Sequence, residues 1–152
     1  MLTFSPATPE QYDQFLQWMR DDGHDYLENS LRILQMTWDE YAQIFRTRGE
    51  VRAICQDADL AGFYWVEQRG DTLHLHGLIL EPDFQGHGIG TAVLTMLAEC
   101  YTGKVDKIEL GVNQDNAGAI RLYEKKGYQI TRSLEDLHFY IMHKILNPPN
   151  HL

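Results

Sequence analysis

A glycine-rich stretch, EPDFQGHGIG at positions 81–90, has the residue types and spacing of an anion-binding turn. It follows an apolar segment that ends at Leu80 and leads directly into an apolar segment with helical spacing. The first backbone N–H groups of a helix have no intrahelical partner, and the helix dipole makes that end positive. Glycines allow the backbone to close on a ligand without Cβ atoms in the way. The stretch therefore predicts a phosphate cradle, which an acidic protein can form because the attraction is local.

The spacing of the glycines separates this turn from two other phosphate-binding motifs. A P-loop requires a Lys after its last glycine, and no Lys follows here. The dinucleotide fingerprint G-x-G-x-x-G fails because Thr91 stands where the third glycine belongs. The pattern Q-x-x-G-x-G, in contrast, fits Gln85, Gly88 and Gly90.

The elements around the turn predict an α+β domain with a mixed central sheet flanked by helices. Apolar periodicity predicts helices over 9–20, 26–35 and 38–48, and Thr37 with Glu40 forms a capping box before the third. Strands are predicted over 51–56, 61–68 and 72–80, then a helix after the turn, a strand over 107–113 and a helix over 116–128. Two final strands follow, and the whole forms one domain over residues 1–146 with a tail at 147–152.

A second motif, LGVNQDNAGAIRLYEKKGY at 110–128, accompanies the glycine turn. Together the two motifs resemble those of the GCN5-related N-acetyltransferases, the GNAT family, in order and in separation. The order of elements over residues 1–145 is also similar to that family. The resemblance implies an acyl-CoA N-acyltransferase fold, with acetyl-CoA as co-substrate and no metal.

The resemblance implies which residues bind acetyl-CoA. The pyrophosphate would lie on the amides of the turn, and the pantetheine arm would pair with the preceding strand and contact the N-cap of the later helix. The residues assigned in this way are Leu78, Ile79, Leu80, Gln85, Gly86, His87, Gly88, Ile89, Gly90, Thr91, Asn116 and Tyr123. His87 would face either solvent or a phosphate, and Asn116 also reads as an ordinary N-cap.

Catalytic candidates follow partly from the resemblance and partly from side-chain chemistry. In similar proteins the tyrosine at the position of Tyr123 protonates the departing thiolate, a role that suits a phenol. Some relatives carry a Glu base where this chain has Gly111, so the base is open between His76 and Glu109. His74 and His76 alternate with leucines and should share one strand face, whereas Glu109 also reads as a solvent-facing carboxylate.

Substrate binding in similar proteins involves the first two helices and their loop. Here that region contains RDDGHDYLENS, in which Asp22, Asp25 and Tyr26 are the candidates. A cluster of carboxylates would suit a cationic amine, although a solvated loop explains the same charges.

The composition of the chain excludes several other classes of protein. The formal net charge of −9 argues against a nucleic-acid-binding protein, and no apolar run is long enough to span a membrane. No secretory signal is visible, and the two cysteines match no zinc or redox spacing, so a cytoplasmic protein is expected. Dimers are common among similar proteins, so a homodimer is among the expected assemblies.

The sequence thus predicts transfer of an acetyl group from acetyl-CoA to a primary amine, of a small molecule or a protein, by direct attack in a ternary complex. Two alternatives remain open at this point. One is an acyltransferase that uses a longer acyl donor, and the other is an acyl-CoA-binding module that senses its ligand without turning it over.

Overall fold

The computed structural model describes residues 1–21, 28, 31–32 and 34–146. Four helices lie within this part of the chain: α1 (Pro9–Asp21), α2 (Trp38–Thr47), α3 (Ile89–Tyr101) and α4 (Ala117–Lys125). The strands are β1 (Leu2–Pro6), β2 (Glu50–Gln56), β3 (Asp59–Arg69), β4 (Thr72–Leu80), β5 (Lys107–Asn113), β6 (Gln129–Leu134) and β7 (Phe139–Ile145). Short 3-10 turns occupy Pro82–Phe84 and Glu135–Leu137.

The strands form one seven-stranded sheet in the order β1-β2-β3-β4-β5-β7-β6. Only the β4–β5 pair is parallel, and the other neighbouring strands run antiparallel. The connection between β4 and β5 therefore has to cross over, and α3 makes that crossover. The mixed sheet predicted from the sequence is confirmed.

Helices cover both faces of the sheet. On one face, α1 and α2 bury Phe15 and Phe45 against Phe63 and Trp65 of β3. On the other face, α3 packs against the sheet through a buried stripe that includes Val93. Burial of apolar side chains, the dominant favourable term in folding, thus holds α3, which connects β4 and β5, against the sheet.

The sequence reading missed β1. Leu2 and Phe4 are half-buried, and the other three residues are exposed. The strand pairs antiparallel with β2, from Leu2–Gln56 to Pro6–Arg52. A short edge strand has little apolar patterning of its own, because its partner supplies the hydrogen bonds that define it. The helix expected over 26–35 and the tail at 147–152 lie largely or wholly outside the described residues.

Other boundaries agree with the sequence reading. The Thr37 hydroxyl oxygen accepts from the backbone N–H of Glu40, and the Glu40 carboxylate accepts from the backbone N–H of Thr37. These two bonds form the capping box before α2. Asn116 caps α4 by accepting from the backbone N–H of Ala119 at 3.1 Å. Gly127 follows α4 with a φ of 96°, the left-handed conformation expected just past a helix end.

Candidate active site

The site forms where β4 and β5 separate. Their parallel ladder runs from Thr72–Lys107 to Leu75–Leu110, whereas β4 continues to Leu80 and β5 to Asn113. Beyond the last pair β5 keeps its partner β7, while β4 keeps β3. The two strands therefore diverge and leave a gap in the middle of the sheet.

A groove of about 710 Å³ runs into this gap beside α4, and its lining includes neither a residue of α3 nor a residue of the glycine turn after Gln85. Its lining combines the diverging strands with residues of the helices and turns beside them. Residues along it include Trp18, Leu78, Leu80, Gln85, Asn116 and Tyr123. Of the expected ligand-binding residues, the groove thus unites those of β4, the start of the glycine turn and α4. Trp18 of α1 was not anticipated, because its helical spacing resembles that of a core residue.

The backbone of β4 offers alternate residues to the groove. The Glu81 N–H donates to the Ala61 carbonyl at 2.8 Å, so the backbone groups of Glu81 and, two residues earlier, Ile79 face β3. Those of Leu78 and Leu80 consequently face the gap. The Leu80 carbonyl accepts from Gln85 Nε2 at 3.0 Å, which ties the start of the glycine turn to the end of β4. Leu78 is therefore the residue whose amide and carbonyl are aimed at the widening gap.

Two glycines of the turn adopt a backbone conformation that other residues rarely adopt. Gly86 and Gly88 have φ values of 78° and 81°, in the left-handed region that glycine tolerates. Gly88 is the N-cap of α3, and the first helical bond is donated by Ala92 to the Gly88 carbonyl at 3.0 Å. The amides of Ile89, Gly90 and Thr91 precede that bond, so they belong to the positive end of the helix. A Cβ at either Gly86 or Gly88 would meet no neighbouring atom within 4 Å, so both glycines serve the backbone conformation rather than close packing.

Tyr123 and Asn116 lie on the α4 side of the groove. Tyr123 is half-buried, and its ring lies 5.9 Å from that of Tyr128, centroid to centroid. Asn116 and Tyr123 both line the groove, so α4 presents its N-cap side chain and a phenol to the same space. His87, in contrast, is exposed at the surface of the turn.

A second cavity of about 310 Å³ reaches the gap from the opposite face of the sheet, beneath α2. It shares Leu75, Leu110 and Gly111 with the groove. Its polar wall carries Glu67, Arg69, His74, His76 and Glu109, and its apolar wall includes Met36, Ile44, Phe139 and Ile141. The two spaces therefore meet at the point where the strands separate.

A β-bulge places His76 beside that point. Trp65 pairs with Gly77 and Val66 with Leu75, so His76 is an extra residue of β4 without a partner position on β3. Its ring stacks on that of His74, with centroids 5.8 Å apart and planes 10° from parallel, which confirms that both histidines share one face. His76 Nε2 lies 2.9 Å from Glu67 Oε1, and that carboxylate also accepts from Arg69 at 2.8 Å. Glu67 was missed by sequence reasoning, because the bulge that brings it to His76 has no sequence signature.

Glu109 bridges two imidazoles from its neighbouring strands. Its Oε2 lies 2.9 Å from His74 Nδ1, and its Oε1 lies 3.1 Å from His143 Nε2. The direct register pairs His74–Glu109 and Glu109–His143 explain this alignment. Glu109 is therefore part of a half-buried polar cluster rather than a carboxylate free in solvent. His143, to which the sequence reading gave no role, belongs to the same cluster.

The environment of this cluster changes its pKa values. Burial lowers the pKa of His74, with Glu109 opposing the change, and burial lowers that of His76, with the Glu67 hydrogen bond opposing it. For Glu67, burial favours a higher pKa, but hydrogen bonds from Arg69 and His76 outweigh it and lower the pKa to about 2. The two histidines are consequently neutral at pH 7 beside an ionised carboxylate.

The position of Phe139 explains why residue 111 is a glycine and not the glutamate that some similar proteins carry there. A Cβ at this position would lie 2.6 Å from Phe139 Cε2, closer than side-chain carbons approach. Phe139 lies across the sheet on β7, beside the register pair Gly111–Ile141, and is 5% exposed. The Phe139 ring thus occupies the space into which a side chain at 111 would project.

Asp22, Asp25 and Tyr26, the candidates for substrate binding, lie outside the described residues. Among the residues that are described, no three His, Cys, Asp or Glu side chains are grouped so that they could hold a metal ion. Within the same part of the chain, no helix combines the length and apolar character needed to cross a membrane.

Comparison with known proteins defines the class. The sequence profile of the Acetyltransferase (GNAT) family matches residues 10–128, and the chain belongs to that family. A mycothiol acetyltransferase of Clavibacter michiganensis is 32% identical over 79 residues, which cover 50% of this chain and 26% of that protein. The L-amino acid N-acetyltransferase AaaT of Escherichia coli is 33% identical over 82 residues, covering 50% of this chain and 51% of that protein. The chain thus matches between a quarter and half of the length of these relatives.

The fold agrees with the family. The solved structure of PaiA N-acetyltransferase from Thermoplasma acidophilum, in complex with coenzyme A, superimposes with a TM-score of 0.70 at 16% identity. The superposition covers 95% of this chain and 99% of that one. Because it spans nearly the whole of both chains, the α+β GNAT fold expected from the sequence is confirmed.

Proposed function

We propose that the protein transfers the acetyl group of acetyl-CoA to a primary amine by direct attack in a ternary complex. One observation carries this proposal. The groove beside α4 and the cavity beneath α2 meet at a single gap, where they share Leu75, Leu110 and Gly111. Two substrates that enter from opposite faces of the sheet would therefore bring their reacting atoms together without a covalent enzyme intermediate.

The groove suits the donor. The pyrophosphate of acetyl-CoA would lie on the first-turn amides of α3, and the pantetheine arm would run along β4 beside Leu78. A local cradle of backbone amides explains how a chain of net charge −9 holds this anion. The PaiA structure supports this assignment because it contains coenzyme A in a similar fold.

The cavity beneath α2 suits the acceptor and the removal of its proton. An alkylammonium has a pKa near 10.4, so releasing the free amine at pH 7 costs about 4 to 5 kcal/mol. His76 faces this cavity as a neutral imidazole held by Glu67, and we assign it the role of proton acceptor. Glu109, which bonds to His74 and His143, would pass the proton onward through the polar cluster.

The transfer step then balances. The amine nitrogen forms a bond to the acetyl carbon, the C–S bond breaks, and the electron pair leaves on sulfur. The Leu78 amide, aimed at the gap, would stabilise the developing negative charge on the carbonyl oxygen. Tyr123 would protonate the leaving thiolate from the α4 side.

The names of the relatives support an amine acceptor. AaaT is an L-amino acid N-acetyltransferase, and it matches half of this chain at 33% identity.

We also propose a cytoplasmic location for the protein. Its two cysteines, Cys55 and Cys100, are free, which suits a reducing compartment.

The test is calorimetric titration with acetyl-CoA of the parent protein and of Gly88→Glu. The substitution places bulk and negative charge at the N-terminus of α3, so we expect saturable binding in the parent and at least a 100-fold weaker affinity in the variant. Gly103→Glu is the matched control, because Gly103 also has a positive φ of 86° and open space around its Cβ. It follows the far end of α3, so this control should retain the parent affinity while suffering the same backbone strain.

Two results would contradict the proposal. Absence of acetyl-CoA binding by the folded parent protein at millimolar concentration would remove the donor. Equal losses of affinity in Gly88→Glu and Gly103→Glu would show that backbone strain, rather than the cradle, is responsible.

A further inference from the structure

Among the residues that the structure describes, the charges lining the cavity beneath α2 cancel, in contrast to the net charge of −9 of the whole chain. These charged residues are two arginines, Arg48 and Arg69, and two glutamates, Glu67 and Glu109. Burial lowers the pKa of His74 and His76, so these side chains add no positive charge at pH 7. Two positive and two negative groups cancel in the lining, although the chain as a whole carries −9.

The two carboxylates that the structure describes in the cavity lining, Glu67 and Glu109, already interact with neighbouring side chains. Glu67 accepts from Arg69 at 2.8 Å and bonds to His76 at 2.9 Å. Glu109 uses one oxygen for His74 and the other for His143. A ligand with several ammonium groups would have to break these interactions, because each of its charges requires a carboxylate of its own when it leaves water.

The rest of the cavity is apolar and small. Ile44 of α2, Phe139 and Ile141 of β7, and Met36 supply apolar side chains to its lining. The volume of about 310 Å³ is at the lower end of the range of small-molecule sites. A hydrocarbon body of a few carbon atoms would be stabilised by burying its surface against these side chains, because apolar surface is then removed from water.

We propose that the acceptor is a small primary monoamine with an apolar body, and not a polyamine or another polycation. The inference rests on the proposed acetyl transfer and specifies its second substrate. The amine nitrogen lies at the gap beside His76 and Gly111, and the apolar body lies against Ile44, Phe139 and Ile141.

The experiment compares kcat/KM for acetyl transfer among four amines at saturating acetyl-CoA. The two monoamines are 2-phenylethylamine and 3-methylbutylamine, and the two polycations are 1,5-diaminopentane and spermidine. We expect the monoamines to be preferred at least tenfold. Binding of each amine to the protein saturated with coenzyme A, measured by calorimetry, should show the same order without any turnover.

A variant makes the selectivity itself testable. Ile44→Glu adds to the cavity a carboxylate that is free to pair with a second ammonium group. The variant should therefore have a lower kcat/KM for 2-phenylethylamine and a higher kcat/KM for 1,5-diaminopentane, which would reverse the preference. Ile145→Glu is the matched control, since Ile145 is 54% exposed and does not line the cavity. Its amine preference should equal that of the parent.

The outcomes separate this inference from the proposed function. Acetyl-CoA binding together with equal or better use of the polycations would overturn the inference alone, as would failure of all four amines to bind the coenzyme A complex. Loss of acetyl-CoA binding in the parent protein would overturn the proposed function and the inference with it.

Discussion

Two side chains with proton chemistry approach the gap from opposite faces of the sheet. His76 faces the cavity beneath α2, where Glu67 holds it, and Tyr123 lines the groove on the α4 side. Proton removal and proton return occur on different atoms of the two substrates, so separate groups on separate faces suit a direct transfer. Neither residue has to move far for this division of work, because each lies on an element that packs into the core.

At this scale we predict the effect of Tyr123→Phe. Removing the hydroxyl should lower kcat by about 10²- to 10⁴-fold, the usual contribution of a general acid, while the affinity for acetyl-CoA changes less than twofold. The measurements are steady-state kinetics and calorimetric titration. Tyr101→Phe is the control, because Tyr101 is also half-buried but lies at the end of α3, away from the groove lining, and should retain parent activity.

Other results would be equally informative. Unchanged turnover in Tyr123→Phe would exclude the phenol as the acid. Tight acetyl-CoA binding by the parent without transfer to any amine would instead favour an acyl-CoA-sensing module.

At the scale of elements, the gap depends on how three strands are arranged. The β4 bulge inserts His76, the β4–β5 ladder ends at Leu75–Leu110, and β7 holds β5 in place beyond that point. Gly111 is the residue of β5 at which the groove and the cavity meet, and Phe139 of β7 lies directly over it. The glycine is therefore required by its neighbour rather than by its own backbone conformation.

We predict that Gly111→Ala destabilises the protein by about 1 to 3 kcal/mol, since the added Cβ would lie 2.6 Å from the Phe139 ring. Urea unfolding gives the free energy. Replacing the ring as well, in Gly111→Ala with Phe139→Leu, should cost less than the sum of the two single changes, because the clash is absent from the double variant.

Gly118→Ala provides the matched control for that series. A Cβ at Gly118 meets no atom within 4 Å, and alanine in a helix is favoured over glycine by about 0.5 to 1 kcal/mol. This variant should be as stable as the parent or more stable. Strict additivity at positions 111 and 139 would show that Phe139 does not restrict residue 111.

At the scale of the whole molecule, the buried polar cluster links stability to pH. The pKa of His74 and of His76 is lowered by burial, so the unfolded chain binds these protons more readily than the folded one. Their contribution is present above the ordinary pKa of 6.5 and is lost as the pH falls below it. Glu67, with a pKa lowered from 4.5 to about 2, contributes above pH 4.5 and loses that contribution between 4.5 and 2.

We therefore predict that the free energy of unfolding decreases in two ranges of pH, first below 6.5 and again below 4.5. Urea titrations at intervals from pH 7.5 to pH 3 would measure it. Glu67→Gln should make the second decrease shallower, whereas Glu99→Gln, a change of an exposed helix residue, should leave the curve unchanged. A free energy that rises between pH 7 and pH 5 would contradict the assignment of the histidines.

Local sequence determined the parts of this protein whose physics is local. The Asn116 cap and the capping box at Thr37 depend on residues a few positions apart, and both were predicted. The family motifs belong to the same category, because a helix N-terminus and the strand before it are contiguous in sequence. The family could therefore be predicted before any tertiary contact was known.

The tertiary structure alone decided which side chains lie together at the cavity beneath α2. Glu67 reaches His76 through a bulge, Glu109 joins His74 to His143 through the register of three strands, and Phe139 fills the space above Gly111 from a distant strand. β1 likewise exists only because β2 supplies its partner groups. Such contacts depend on strand register and long-range pairing, which the pattern of one segment does not contain, because the partner that fixes each residue lies elsewhere in the chain.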